Sequence, residues 1–232
     1  MRPARLYNND MHYRAIIFDF DGVIVDSERW WEPLMEDLCS TKISDWRKGD
    51  NAKHLTGADL QDNYAYLSKA YKIGFSWEEF AKAVENLTKI IYGEKTSFLP
   101  GLERLLRELT KRNIPIGLAS SSKRAWLDMA FDRLGMGDYF PLRATGDDLM
   151  PGEGKPAPTL YLRAAKMLGI DPKECIAIED SHNGALSAKA AGMYCIGMRN
   201  GFNDRQDLSM ADECIHGFAE LDGGKLDVLL HS

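Results

Sequence analysis

The sequence predicts a doubly wound, Rossmann-like α/β core with a parallel sheet, interrupted by an inserted α-helical module. Three observations carry that prediction. Short apolar runs alternate with amphipathic helix patterns, which implies βαβ units with right-handed crossovers. The runs are almost continuously apolar, as suits parallel strands covered on both faces. Residues 28 to about 95 break the alternation, with helix-like patterns and no convincing strand run.

Residues 1–13 are polar and irregular, and the first strand is AIIFDF (15–20). Further runs follow as IPIGLAS (114–120), ECIAIED (174–180), MYCIGM (193–198) and a weaker ADECI (211–215). Between them lie the helix patterns LERLLRELTKR (102–112), KRAWLDMAFDRLG (123–135), APTLYLRAAKMLG (157–169) and NGALSAKAAG (183–192). Gly135, Gly169 and Gly192 each follow the last periodic residue, where a helix is expected to close on glycine. In the inserted segment, SWEEFAKAVENLTKIIYG (76–93) opens on Ser76 with Glu79 three residues on, a capping-box pattern. Four of the five tryptophans (Trp30, Trp31, Trp46, Trp77) fall in this segment and are expected to fill the core of a small helical bundle. The predicted organisation is an α/β core from residues 1–27 and 96–232, with a helical module at 28–95.

Composition narrows the function classes. The chain has 232 residues, 44% hydrophobic and 28% charged, as for a soluble globular protein. Lys+Arg 29 against Asp+Glu 35 gives a net charge of -6, which argues against a nucleic-acid partner. No apolar run approaches the length of about 18 residues that a membrane span needs. The N-terminal residues lack the apolar core of a signal peptide. Cys39, Cys175, Cys195 and Cys214 form no CxxC pair, so reduced thiols and a cytoplasmic location are expected.

The chemistry gathers at the strand ends. Asp19 and Asp21, two residues apart at the carboxyl end of the first strand, face one side in extended chain, and ligands of open α/β sheets bind at such ends. IPIGLAS ends in Ser120, followed by Ser121, Ser122 and Lys123 at a helix start, where hydroxyls and free N–H groups suit a phosphate. Lys155 in GKPAP (154–158) precedes a helix but belongs to no Walker A loop. ECIAI ends in Glu179-Asp180-Ser181, adding two carboxylates. Taken singly, each is an ordinary cap or a solvated charge; together, at four successive strand ends, they describe a site. Like charges about 4 Å apart cost about 4 kcal/mol at an effective dielectric of about 20. The clustered carboxylates therefore require a cation, and all-oxygen ligands with open positions favour Mg²⁺.

DFDGVIVD (19–26, with Phe18 before it), Ser120, GKPAP around Lys155 and IEDS around Glu179-Asp180 resemble the four motifs of the haloacid-dehalogenase-like phosphohydrolases, in order and spacing. The subgroup most similar is the β-phosphoglucomutase and sugar-phosphatase-like proteins, whose small helical cap the 28–95 insertion resembles. The resemblance implies that Asp19 is the nucleophile that forms an aspartyl-phosphate and that Asp21 is the general acid and base. It implies that Ser120, with Ser121, and Lys155 hold the phosphoryl oxygens. It also implies that Glu179, Asp180, Asp19 and the main-chain carbonyl of Asp21 hold Mg²⁺. The presence of Asp21 argues against dehalogenation. Glu28, at the entry to the cap, is a candidate for meeting substrate hydroxyls, and His182 is read as a surface or supporting residue.

The function expected is Mg²⁺-dependent hydrolysis of a small phosphorylated metabolite, a sugar phosphate among the candidates, by a monomer or weak dimer. The alternative is a phosphomutase of the β-phosphoglucomutase type. That pattern has a cap His five residues past the last Asp of the first motif and an Arg three residues past a cap glycine. Here the first position is Trp31 and the second, counted from Gly57, is Leu60, with Lys53 and Lys69 as other cap cations.

Overall fold

The computed structural model describes residues 13–50 and 60–230. Six strands form one parallel sheet: β1 Ala15–Phe18, β2 Ile116–Ala119, β3 Arg143–Ala144, β4 Cys175–Glu179, β5 Tyr194–Met198 and β6 Glu213–Ile215. Their spatial order is β3-β2-β1-β4-β5-β6, with Ile16 of β1 level with Ile116 on one side and Ile176 on the other. The chain thus builds outward from β1 to β3, then crosses to β4 and builds the other way. The switch lies between β1 and β4, where ligands of such sheets bind.

Both sheet faces are buried, as the apolar runs require. Ile16, Phe18, Leu118, Ile176 and Ile178 alternate to one face. There they meet the leucines of α4 (Leu102–Lys111) and the apolar sides of α5 (Arg124–Leu134) and α8 (Gly223–Leu229). Ala15, Ile17, Ala119 and Ala177 point the other way, against Ala164 and Ala165 of α6 (Thr159–Leu168) and Ala185 and Ala188 of α7 (His182–Ala190). Small side chains on both partners let that helix layer lie close to the sheet. Gly135 and Gly169 close their helices at φ +75° and +69°, a conformation that costs most other residues free energy.

The regular elements of the insertion are all helical among its described residues: α1 Glu28–Lys42, α2 Leu60–Ala70 and α3 Trp77–Ile90, followed by a π-helical turn, Ile91–Lys95. The Ser76–Glu79 capping box is present in both directions, at 3.2 and 2.8 Å. Met35, Cys39, Ile43, Leu67, Tyr71, Phe80 and Val84 make the module's own core. Trp46 and Trp77 pack there as expected, and Trp31 touches both this core and that of the sheet. Trp30 does not join the bundle. Successive helical residues point about 100° apart, so Trp30 turns toward the α/β core, its ring flanked by Arg29 at 5.2 Å and Lys95 at 5.5 Å.

The two chain crossings into and out of the module lie side by side. The Asp26 amide donates to the Ser97 carbonyl at 3.0 Å, and the Ser97 amide donates to Asp26 Oδ1 at 2.6 Å. Val25 bridges Phe98, and the Leu99 amide donates to the Ile24 carbonyl. Among the described residues no helix is long and apolar enough to cross a membrane. Lys53 and Gly57 lie outside the described residues; Lys69 is exposed on α2, and Leu60 packs in the module's apolar core.

Candidate active site

The carboxyl ends of β1, β2 and β4 bring together the residues that the strand-end pattern singles out. Asp19 continues the β1 ladder by one residue, its amide donating to the Ile178 carbonyl at 3.0 Å, and is 7% exposed. Lys155 reaches it from the loop before α6, donating to Asp19 Oδ1 at 2.6 Å and also to Glu179 Oε1. That loop is pinned from α7 by Ser187 Oγ, which donates to the Ala157 carbonyl at 2.6 Å. The Lys155 ammonium also lies 5.2 Å from the Tyr161 ring centroid.

Glu179, fully buried, is saturated with donors. Oε1 accepts from Lys155 and the Tyr161 hydroxyl, and Oε2 from the Asp180 amide and the Ser181 amide and hydroxyl. Burying an ionised carboxylate is tolerable only with such pairing. Asp180, also buried, accepts from Asn200 Nδ2 on Oδ2 at 2.9 Å, and the same amide group donates to the Gly22 carbonyl at 2.8 Å. Asn203 Nδ2 holds the main-chain oxygens of Asp180 and Met198, each at 2.7 Å.

Asp21 is held differently, by three hydroxyls. Oδ1 accepts from Ser27 Oγ at 2.6 Å and Tyr92 at 2.7 Å, and Oδ2 from Ser122 Oγ at 2.6 Å. Ser120, at the end of β2, is buried, and its Oγ accepts the Ser122 amide at 3.0 Å; Ser121 is exposed on the same turn. Glu28 is half-buried at the start of α1, where burial, with the charges of Asp21 and Glu32, pushes its carboxyl up to about 7. His182 is tied to the 206–207 loop: its amide donates to Gln206, and Nδ1 lies 2.9 Å from the Asp207 carbonyl, which requires the proton on Nδ1.

Asp19, Glu179 and Asp180 each offer an oxygen, all within 4.8 Å of one another. Burial pushes Asp19 up to about 8 despite Lys155, with Glu179 and Asp21 adding to the rise. Asp180 is raised by burial and by Glu179 and Glu28. Burial works against the Lys155 charge, but Asp19 and Glu179 outweigh it and keep the lysine above its usual range. Three carboxylates thus face one ammonium, so that the cluster carries an excess of negative charge when all are ionised. An oxygen-only donor set with an excess of negative charge fits a hard divalent cation such as Mg²⁺. Glu179, with five hydrogen bonds already, must release one to ligate such an ion directly; Asp19 and Asp180 are less encumbered.

Close backbone approach supports this cluster. A Cβ on Gly22 (φ +73°) would lie 2.0 Å from Asp180 Oδ2, and one on Gly184 would lie 1.9 Å from the Glu179 carboxylate. Gly22→Ala is therefore expected to cost about 1–3 kcal/mol in urea unfolding and to weaken Mg²⁺ binding measured by calorimetry. Unchanged metal affinity would show that the Asp180 position is not needed for the ion.

The model of the haloacid dehalogenase-like hydrolase family matches residues 13–192. This chain belongs to that family. Among its relatives in the family are β-phosphoglucomutase of Bacillus subtilis (strain 168), 32% identical over 81% of this chain and 84% of that protein. Hexitol phosphatase B of Escherichia coli (strain K12) is 30% identical over 78% of this chain and 82% of that protein. The solved structure of β-phosphoglucomutase from Clostridium difficile superposes with a TM-score of 0.72 at 28% identity, covering 93% of this chain and 96% of that one. The hydrolase residues that strand-end reasoning passes over are Ser27, Tyr92, Tyr161, Asn200 and Asn203. Asn200 and Asn203 follow β5, so the same strand-end rule reaches them; Tyr92 and Tyr161 sit inside helix patterns, where a tyrosine reads as packing.

Proposed function

We propose that this hydrolase is a Mg²⁺-dependent phosphatase for a small phosphorylated metabolite, working through a phosphoryl group carried on Asp19. The observation that carries the reading is the Lys155 ammonium bonded to Asp19 and Glu179, with Asp180 beside them and the Ser120 turn on the neighbouring strand. Asp19 attacks phosphorus while the bond to the leaving oxygen breaks, and Asp21 gives that oxygen its proton. A water then attacks the aspartyl-phosphate, Asp21 takes the water's proton, and inorganic phosphate leaves with Asp19 restored. Ser120 and the exposed Ser121 at the α5 entrance, with Lys155, are suited to hold the non-bridging oxygens. Asp19, Glu179, Asp180 and the Asp21 carbonyl would hold Mg²⁺, which when bound offsets charge on the phosphoryl oxygens. Glu28 borders the same space from the cap and suits a substrate hydroxyl.

The mutase alternative has one observation in its favour, the relationship to β-phosphoglucomutase. Two residues weigh against it. Trp31 stands where that pattern has a His, with its indole N–H committed to Tyr92 at 3.2 Å, and Leu60 brings no charge for a distal phosphate. The experiment is a screen of phosphate release over phosphorylated metabolites, with and without EDTA. Release is expected to stop in EDTA and return with Mg²⁺, and β-glucose 1-phosphate with a bisphosphate primer is expected to give little glucose 6-phosphate. Undiminished release in chelator, with metal content verified as negligible, would remove the cation from the reading. Primed isomerisation faster than release would promote the mutase.

A further inference from the structure

We propose that Tyr92 is a positioning residue for the acid–base carboxyl of Asp21, that Trp31 sets the direction of its hydrogen bond, and that the pair assigns proton transfer to Oδ2 of Asp21. The inference rests on the role given to Asp21 above.

Tyr92 is fully buried on the π-helical turn where the chain returns from the cap, and such turns concentrate at functional sites. It has little freedom to swing. Arg133 of α5 donates to the Tyr92 carbonyl at 3.1 Å and to Thr96 Oγ1 at 2.8 Å, fastening the turn to the core. The ring stacks on Trp126, with centroids 5.9 Å apart and planes 19° from parallel, and also meets Phe20 at 5.9 Å.

The hydroxyl lies between two groups of fixed character. Trp31 Nε1 is 3.2 Å away on one side and Asp21 Oδ1 is 2.7 Å away on the other. An indole nitrogen only donates, so the phenolic oxygen accepts from Trp31. Its single proton is thereby committed to Asp21. Ser27 Oγ lies 2.6 Å from the same Oδ1, so that oxygen receives two hydroxyls and, of the two carboxyl oxygens, is the better satisfied without a proton. Among the described residues Oδ2 accepts one hydrogen bond, from Ser122 Oγ at 2.6 Å. That hydroxyl can rotate from donating to accepting when Oδ2 carries a proton, and it sits on the turn that begins with Ser120. The oxygen with fewer donors, and so the one favoured to carry the proton and pass it on, is therefore Oδ2, on the Ser120-turn side of the carboxyl. Tyr92 touches neither phosphorus nor the leaving group; it acts through Asp21.

The test is single-turnover cleavage by the full-length chain with Mg²⁺, using p-nitrophenyl, phenyl and methyl phosphate, whose leaving groups need a proton to increasing degrees. Tyr92→Phe keeps the ring and its stack. It is expected to leave p-nitrophenyl phosphate cleavage within about twofold and to slow methyl phosphate about tenfold or more. Trp31→Phe is expected to act in the same direction but more weakly, and the double variant to be no worse than Tyr92→Phe alone, because Trp31 works through Tyr92. Equal losses for all three esters, or losses that multiply in the double variant, would overturn the assignment. If Tyr92→Phe does not fold, the leaving-group pattern of Trp31→Phe decides the matter in the same way. A wild-type protein that cleaves none of the three and also releases no phosphate in the metabolite screen would overturn the phosphatase reading itself, and this inference with it. Wild-type turnover with a flat variant profile would remove only Tyr92.

Discussion

Asp19→Asn is expected to lower turnover by at least about 10⁴-fold and to leave no phosphorylated protein after acid quench. The amide keeps the volume of the carboxylate and an oxygen that can still accept from Lys155, so the fold should survive. It loses the charge that, on the proposed mechanism, would attack phosphorus. Wild-type protein mixed with labelled substrate and quenched in acid should carry a labile phosphoryl group, and the variant should carry none. Near-normal turnover in Asp19→Asn would exclude the covalent route for this enzyme.

Lys155→Met should damage stability as well as rate. The lysine side chain is 8% exposed and lies between Asp19 and the fully buried Glu179. Removing one partner of a buried ion pair while leaving the other costs about 3–5 kcal/mol, and here two carboxylates are left facing each other. Urea unfolding at pH 7 in chelator should reveal that loss, and Mg²⁺ should narrow it by supplying charge of the sign that was removed. Adding Glu179→Gln to Lys155→Met should recover part of the stability, because the deserted charge is then gone too. A Lys155→Met protein as stable as wild type in chelator would show that the ammonium does not hold this cluster together.

The parallel core was legible because its strands are buried on both faces, which forces apolar runs such as AIIF and CIAI that no amphipathic helix would carry. The edge strand β3 was not, since Arg143–Ala144 is a two-residue segment with no pattern to detect. The candidate site was legible wherever its residues end or closely follow a strand, which covers Asp19, Asp21, Ser120, Glu179 and Asp180. Lys155 was recoverable because a lysine set among glycine and prolines has no reason to be there for helix formation. Asn200 and Asn203 follow β5 closely and come within reach of the same logic. Tyr92 and Tyr161 do not, because their rings serve the core like any aromatic and only the hydroxyl at the tip reaches a carboxylate. The same blindness to direction explains Trp30, since composition cannot say toward which side of α1 a given ring points.

The paired crossings at Asp26 and Ser97 have a consequence for the history open to this chain. Because the outgoing and returning segments are hydrogen-bonded to each other, whatever lies between them is closed at its base. Closing a longer loop costs little more than closing a shorter one, about 0.6 kcal/mol for each doubling of length. A different set of helices can therefore be accommodated at this doorway at little cost in loop closure, provided that residues such as Ile91 and Tyr92, which pack into the core beneath the sheet's end, are kept. On the proposed function, substrate preference and phosphoryl chemistry would in this way be separable inheritances, the first carried by the insertion and the second by the strand ends.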